Sequence, residues 1–167
     1  MAANFHAEHV GSLLRPPELL RARESHARGE MPTEQLRELE DRAVLDAIEL
    51  QRQAGIEVFT DGEMRRATWM AELLETLTGV IPIGAVTIEW HRDRGEDPPA
   101  EDTRFDSVAA SARVGRKLDL TSIEAAFLAR HAPGRYKVTM MSAAMGALLW
   151  RPGISDSVYP KIGRAHV

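Results

Sequence analysis

The chain has 167 residues, 44% of them hydrophobic and 28% charged, the balance of a globular protein rather than a disordered one. Lys and Arg total 21 against 25 Asp and Glu, and the resulting formal charge of −4 argues against nucleic acid or an anionic membrane as a partner. Cysteine is absent and no apolar run nears ~18 residues, which removes disulfides, cysteine nucleophiles, thiolate-bound zinc and a spanning helix from what these residues supply.

The first 20 residues hold His6, Glu8, His9 and Arg15 with no unbroken apolar stretch, so a signal peptide is not expected and a cytoplasmic location is. Phe5–Val10 is compatible with a short strand ended by Gly11-Ser12. Pro16 and Pro17 then open a helix expected to run to about Arg28 and stop at Gly29. A second helix begins where Thr33 can cap and ends at Gly55. Between them Leu36, Leu39, Ala43, Ala47, Leu50 and Ala54 draw one apolar stripe, which Val44, Leu45 and Ile48 widen. Ile56–Thr60 follows as a β-branched strand leading into Asp61-Gly62-Glu63, one αβ step of an α/β fold. A third helix is expected over Ala67–Leu77, stopped by Gly79.

From Val80 to Trp90 the period changes to two, with an interruption near Pro82 and Gly84, and residues 91–107 are charged and turn-rich. Val108–Leu118 returns as the partner strand of this excursion. Thr121-Ser122-Ile123-Glu124 has capping-box spacing, with Leu120 placed to staple Ala125, and predicts a helix to about His131. Tyr136–Met141 reads as a strand, after which Ser142 caps a last helix limited by Pro152. A length of 167 suits one domain, whereas a whole (β/α)8 barrel takes ~250 residues.

Polar loops follow three predicted strands, at Gly11-Ser12, Asp61-Gly62-Glu63 and Ser142. Ligand chemistry in α/β folds gathers at such carboxyl ends. Glu63 can receive a ligand ammonium, while Ser12 and the amides near Gly11 can hold a carboxylate, making a clamp for an amino acid. Asp61 and Glu63 serve equally well as loop or cap acids. His6 and His9 invite a metal reading with Asp61 and Glu63. In a strand, however, residues three apart point to opposite faces, which counts against the two histidines acting together. Arg65-Arg66 and Arg113, Arg116 and Lys117 read as solvated basic groups, and Met140-Met141 as core filling.

Three segments together resemble the cobalamin-independent methionine synthase family, in particular its stand-alone members that lack the duplicated N-terminal barrel. They are His9-Val10-Gly11-Ser12-Leu13-Leu14-Arg15-Pro16, Gly55-Ile56-Glu57-Val58-Phe59-Thr60-Asp61-Gly62-Glu63 and Trp150-Arg151-Pro152-Gly153-Ile154-Ser155-Asp156. The resemblance covers nearly all of residues 5–160. It implies a zinc-dependent S-methyltransferase of methionine biosynthesis on a TIM barrel, taking a methyl group from methyltetrahydrofolate to the homocysteine sulfur. Its partners are then a small thiol amino acid and a folate, with neither nucleic acid nor membrane. Carried over by position, Val10, Gly11 and Ser12 match the segment that holds the homocysteine carboxylate, and Glu63 matches the carboxylate that meets its amino group. His9 and Asp61 stand beside them as further candidates, and His6 has no family role. Zinc binding keeps a substrate thiol as thiolate, and the family's zinc ligands lie further along the barrel than residue 160.

The expected fold is therefore α/β, a partial TIM (β/α)8 barrel. It comprises roughly the first three strands with their helices and a β-hairpin excursion, an N-terminal part spanning 5–160 and inactive by itself. Residues 161–167 are expected to be an artefactual tail, because Ile162–Val167 matches what a common sequencing adapter encodes in one frame. Two other readings stay open: a metal-dependent hydrolase using His6, His9 and Asp61, and a non-catalytic α/β module whose first helices mediate association.

Overall fold

A computed structural model describes residues 7–68, 76–88 and 103–161. The chain divides into two compact units, one of Met1–Glu72 with Asp119–Met140, the other of Leu73–Leu118 with Met141–Val167. The architecture is mixed α/β with two small sheets. His6 and the tail after Lys161 lie outside the described residues, as do Trp90 and most of the charged loop.

In the first unit, α1 (Pro17–Ala27) starts on a proline whose fixed φ suits the first turn, and the chain leaves it through Gly29 at φ 76°. Helix α2 (Thr33–Gln53) follows. Its cap is Pro32 rather than Thr33, which is the first helical residue and whose hydroxyl lies 3.2 Å from His26 Nε2. The face it buries is Glu40, Ala43, Val44, Ala47, Ile48 and Gln51. Leu45 and Leu50 of the expected stripe are exposed instead. Gln51 rotates the stripe inward because its amide bridges the next strand: Nε2 donates to Ala47 O and Thr60 O, and Oε1 accepts the Thr60 N–H at 2.9 Å.

That strand, β1, is short (Val58–Phe59). The strand expected over Phe5–Val10 is not formed in its described part, residues 7–10. A strand needs a backbone ladder, and this stretch is tied by side chains instead. His9 reaches Thr60, and Lys137 Nζ donates to Glu8 at 2.6 Å. Helix α3 (Leu120–His131) ends where expected but is capped by Asp119, which accepts the Ser122 N–H at 3.1 Å. Glu124, expected to close a capping box with Thr121, pairs its carboxylate with Arg66. After α3 comes a second short strand (Arg135–Tyr136), well short of the expected Met141. It pairs in parallel with β1, and Lys137 N–H extends the ladder to Phe59 O. Leu19, Val44, Ala47, Phe59, Met64 and Leu128 fill the core of this unit. Met140 is 66% exposed, so it does not fill a core.

In the second unit, β2 (Leu77–Ile88) and β3 (Thr103–Arg116) form a long antiparallel pair. Most of the helix expected over Ala67–Leu77, residues 69–75, lies outside the described residues; at its described ends Ala67 and Thr68 are bends and Leu77 already belongs to β2. Gly79 is no helix stop. It sits at a register shift between Thr78 and Val80, at φ 77°. A second shift falls between Pro82 and Gly84, where the alternation breaks in the sequence. β3 starts five residues before the expected Val108, because backbone pairing needs no apolar side chains. Ser142 caps as expected, accepting the Ala144 N–H at 3.3 Å, but the helix is a 3-10 helix over Ala143–Leu149. Val108, Ala110, Leu149 and Tyr159 make the core here. The segment after Trp150 is fastened to β3. Buried Ser155 donates to Ala110 O at 2.7 Å, and Tyr159 Oη accepts the Val114 N–H at 2.9 Å. Among the described residues no helix is long and apolar enough to cross a membrane.

A Cβ on Gly79 would meet Arg113 O at 2.4 Å, on a backbone that L side chains rarely adopt. Gly79→Ala is therefore expected to cost at least ~1–2 kcal/mol, read as a lower urea midpoint for the unit that carries β2 and β3.

Candidate functional site

Strand β1 and the Arg135–Tyr136 strand, β4, run parallel, so their carboxyl ends open on the same side. The Asp61–Arg66 turn leaves β1 there, and Thr139 follows β4 there. Gly62 and Glu63 both take positive φ, 64° and 56°. Gly62 is required on space as well, since a Cβ would press on Leu13 at 3.2 Å. Glu63 is the one described non-glycine residue at positive φ, and strain of that kind concentrates where a side chain must be aimed.

The aim is at Ser12. Glu63 is only 3% exposed, and its Oε2 accepts from Ser12 Oγ at 2.5 Å while its Oε1 accepts from Thr139 Oγ1 at 2.8 Å. Ser12 belongs to a stretch without regular structure, held to the turn by Leu13 N–H donating to Gly62 O at 3.0 Å. Val10 and Ser12 are exposed, and Gly11 turns the chain between them at φ 90°. Arg15 secures the same corner, with Nη2 donating to Glu63 O at 3.2 Å and Nε to Arg66 O at 3.1 Å. The structure thus brings Ser12 and Glu63 into direct contact, with Val10 and Gly11 beside them in sequence. It adds Thr139 and Arg15, which sequence reasoning missed. Thr139 carried a usable signal, a hydroxyl just past a predicted strand core. Ser142 was preferred, and it serves its own helix.

Asp61 is 1% exposed and acts on the turn itself, its Oδ1 accepting the Glu63 N–H at 3.0 Å. Its Oδ2 is buried without a hydrogen-bond partner. Burial pushes the Asp61 carboxyl above its ordinary range, opposed by the Glu63 N–H and by the charges of Arg66 and Arg65. Neither of the two arginines is the solvated group expected. Arg66 is 1% exposed and makes a bidentate pair with Glu124, at 2.8 and 2.5 Å, while Nη2 also donates to Thr139 O at 2.7 Å. Arg65 pairs with Asp41 and lies over the Phe127 ring, 4.2 Å from its centroid. Arg113, Arg116 and Lys117 are exposed.

His9 Nδ1 lies 2.9 Å from Thr60 Oγ1. Among the described residues no three His, Asp or Glu side chains gather to hold a metal, and the chain has no cysteine. The described donors therefore do not fit the zinc that the resemblance implies.

No family model matches the chain. Two proteins of Bacillus subtilis strain 168, both named as uncharacterized, are similar to it. YxjH is 41% identical over 121 residues, covering 72% of this chain and 29% of its own length. YxjG is 47% identical over 78 residues, covering 47% and 21%. The chain thus spans less than a third of these relatives. Among solved structures it is similar to a Listeria monocytogenes protein assigned as a vitamin-B12-independent methionine synthase. The TM-score is 0.61 at 26% identity, over 94% of this chain and 43% of that one. It also shares its fold with the B12-independent methionine synthase of Shewanella sp. W3-18-1, solved in complex with selenomethionine. There the TM-score is 0.58 at 18% identity, over 82% and 36%. Both of these structural neighbours are thus named as B12-independent methionine synthases, a methyltransferase activity.

The raised Asp61 carboxyl gives a signed expectation. The folded form holds this proton more tightly than the unfolded one, so the contribution is full below about pH 4 and is lost as pH rises through the folded value. Relative to Asp61→Asn, the wild-type chain should lose stability from about pH 4 upward, as followed by urea denaturation across pH. A constant difference between the two would contradict the assignment.

Proposed function

We propose that this chain supplies the amino-acid end of an S-methyltransferase site, in a cytoplasmic methionine synthase of the cobalamin-independent type built on a (β/α)8 barrel. The observation that carries the reading is the state of Glu63. Its buried carboxylate is bonded by two neutral hydroxyls, Ser12 and Thr139, and no cationic side chain among the described residues bonds it. Neutral donors satisfy part of its hydrogen-bonding capacity, and Arg15 and Arg66 act on it only through space, so the carboxylate keeps room for a ligand ammonium. Arg15 comes close but spends its donors on backbone carbonyls and, at 3.4 Å, on Ser12 Oγ.

An α-amino acid such as homocysteine would set its ammonium on Glu63 and its carboxylate on the exposed Val10–Ser12 turn, which projects its sulfur away from both. The selenomethionine bound by the Shewanella protein is an amino acid of this shape. Ser12 and Glu63 then bind and orient the acceptor without touching the reacting atom. Zinc and methyltetrahydrofolate would take their ligands from residues other than those described, in a protein longer than this chain.

The test is calorimetric binding of L-methionine to the chain, with 4-(methylthio)butanoate, which lacks the amino group, as the comparison. Glu63→Gln is expected to weaken L-methionine at least tenfold, about 1.4 kcal/mol, and to leave the des-amino compound unchanged. Equal binding of L-methionine by wild type and Glu63→Gln, or no binding by wild type, would overturn the reading.

A further inference from the structure

From the hydrogen bonds around Glu63 we infer that Thr139 is a positioning residue of the clamp, fixing the plane of the Glu63 carboxylate so that it meets an ammonium ready oriented. The inference rests on the amino-acid reading above. The torsion that spins a glutamate carboxylate is soft and roughly two-fold, so one hydrogen bond on one oxygen leaves the plane free to swing. Glu63 has a hydroxyl on each oxygen, Ser12 on Oε2 and Thr139 on Oε1, and two such bonds hold the plane. The two donors differ in how firmly they are held. Ser12 is exposed in a stretch without regular structure.

Thr139 is anchored through its backbone. Arg66 Nη2 donates to its carbonyl at 2.7 Å, and Arg66 is locked in turn by both oxygens of the fully buried Glu124. Two residues earlier, Lys137 N–H donates to Phe59 O and continues the parallel ladder. The Thr139 hydroxyl therefore reaches Glu63 from a frame built on β1, β4 and α3, while Ser12 closes over the other oxygen from a loop. An acceptor oriented before the ligand arrives spares the ligand the cost of ordering it.

The hydroxyl is the tested group. Thr139→Val keeps the shape and removes the donor, and Thr139→Ser keeps the donor. The valine variant is expected to bind L-methionine about tenfold more weakly, the size of one charge-assisted hydrogen bond, with 4-(methylthio)butanoate unaffected. The serine variant should stay within about twofold of wild type. A merely structural threonine would lower both ligands together and would not be rescued selectively by serine. Should the valine variant not fold, Thr139→Ala puts the same question.

A second readout needs no ligand. At neutral pH the carbon-13 resonance of the Glu63 carboxyl should move in Thr139→Val and return in Thr139→Ser. If wild type and Glu63→Gln behave as proposed while Thr139→Val binds like wild type, this inference falls and the amino-acid reading stands. If wild type does not bind L-methionine, the amino-acid reading falls. The positioning role falls with it; where wild type does bind L-methionine, an unmoved carboxyl resonance in Thr139→Val overturns the positioning role alone.

Discussion

The turn after β1 depends on a buried ion pair. Arg66 and Glu124 are almost wholly withdrawn from water and meet through two parallel bonds, a geometry that only guanidinium and carboxylate share. Bringing two charges out of water costs several kcal/mol each, and a well-packed apolar pair often does as well for stability. What an apolar pair cannot do is use a third donor. Arg66 spends one on Thr139 O, and its own carbonyl accepts from Arg15 and from Arg23, the latter at 2.5 Å. Helix α3, the turn and the end of β4 are thereby joined at one residue.

The turn itself has an accounting problem that the arginines solve. With Gly62 and Glu63 left-handed, the backbone leaves helical geometry, and buried carbonyls still need donors. Arg15 serves the carbonyls of Glu63 and Arg66, while Arg23 serves those of Met64 and Arg66 and also pairs with Glu40. Asp61 secures the Glu63 N–H from the other side. So many restraints on six residues can hold a non-glycine residue at positive φ, a conformation worth ~1–3 kcal/mol of strain. The result is an acidic side chain pointed at the Ser12 corner from a rigid base.

The third motif that carried the family resemblance behaves differently. Trp150, Arg151 and Ser155 form a fastening of the second unit. Trp150 Nε1 donates to Tyr159 O, the Arg151 N–H to Ser155 Oγ, and Ser155 to the β3 backbone. Within the described residues its hydrogen bonds are structural. The match to the Listeria structure takes in 94% of this chain and 43% of that one.

Much of the local structure is legible in the residues. Pro17 with Gly29, and Gly55 at φ 75°, bound the first two helices because those residues restrict or widen φ whatever surrounds them. Alternation from Val80 and its break at Pro82 and Gly84 announce β2 and one of its register shifts. The Gly11-Ser12 and Asp61-Gly62-Glu63 turns are visible as polar punctuation and as family motifs. The sequence does not show which of its many charges are inside. Arg66 finds Glu124 across 58 positions, and Glu63 finds Thr139 across 76. Asp119, two residues ahead of Thr121, caps α3 while Glu124 pairs with Arg66, and Gln51 turns α2 away from its Leu45–Leu50 edge. Propensity and periodicity act over one or two turns of chain and can be read from neighbours. The partner of a buried charge is chosen by which segments the folded chain brings together, so the tertiary structure alone decided it.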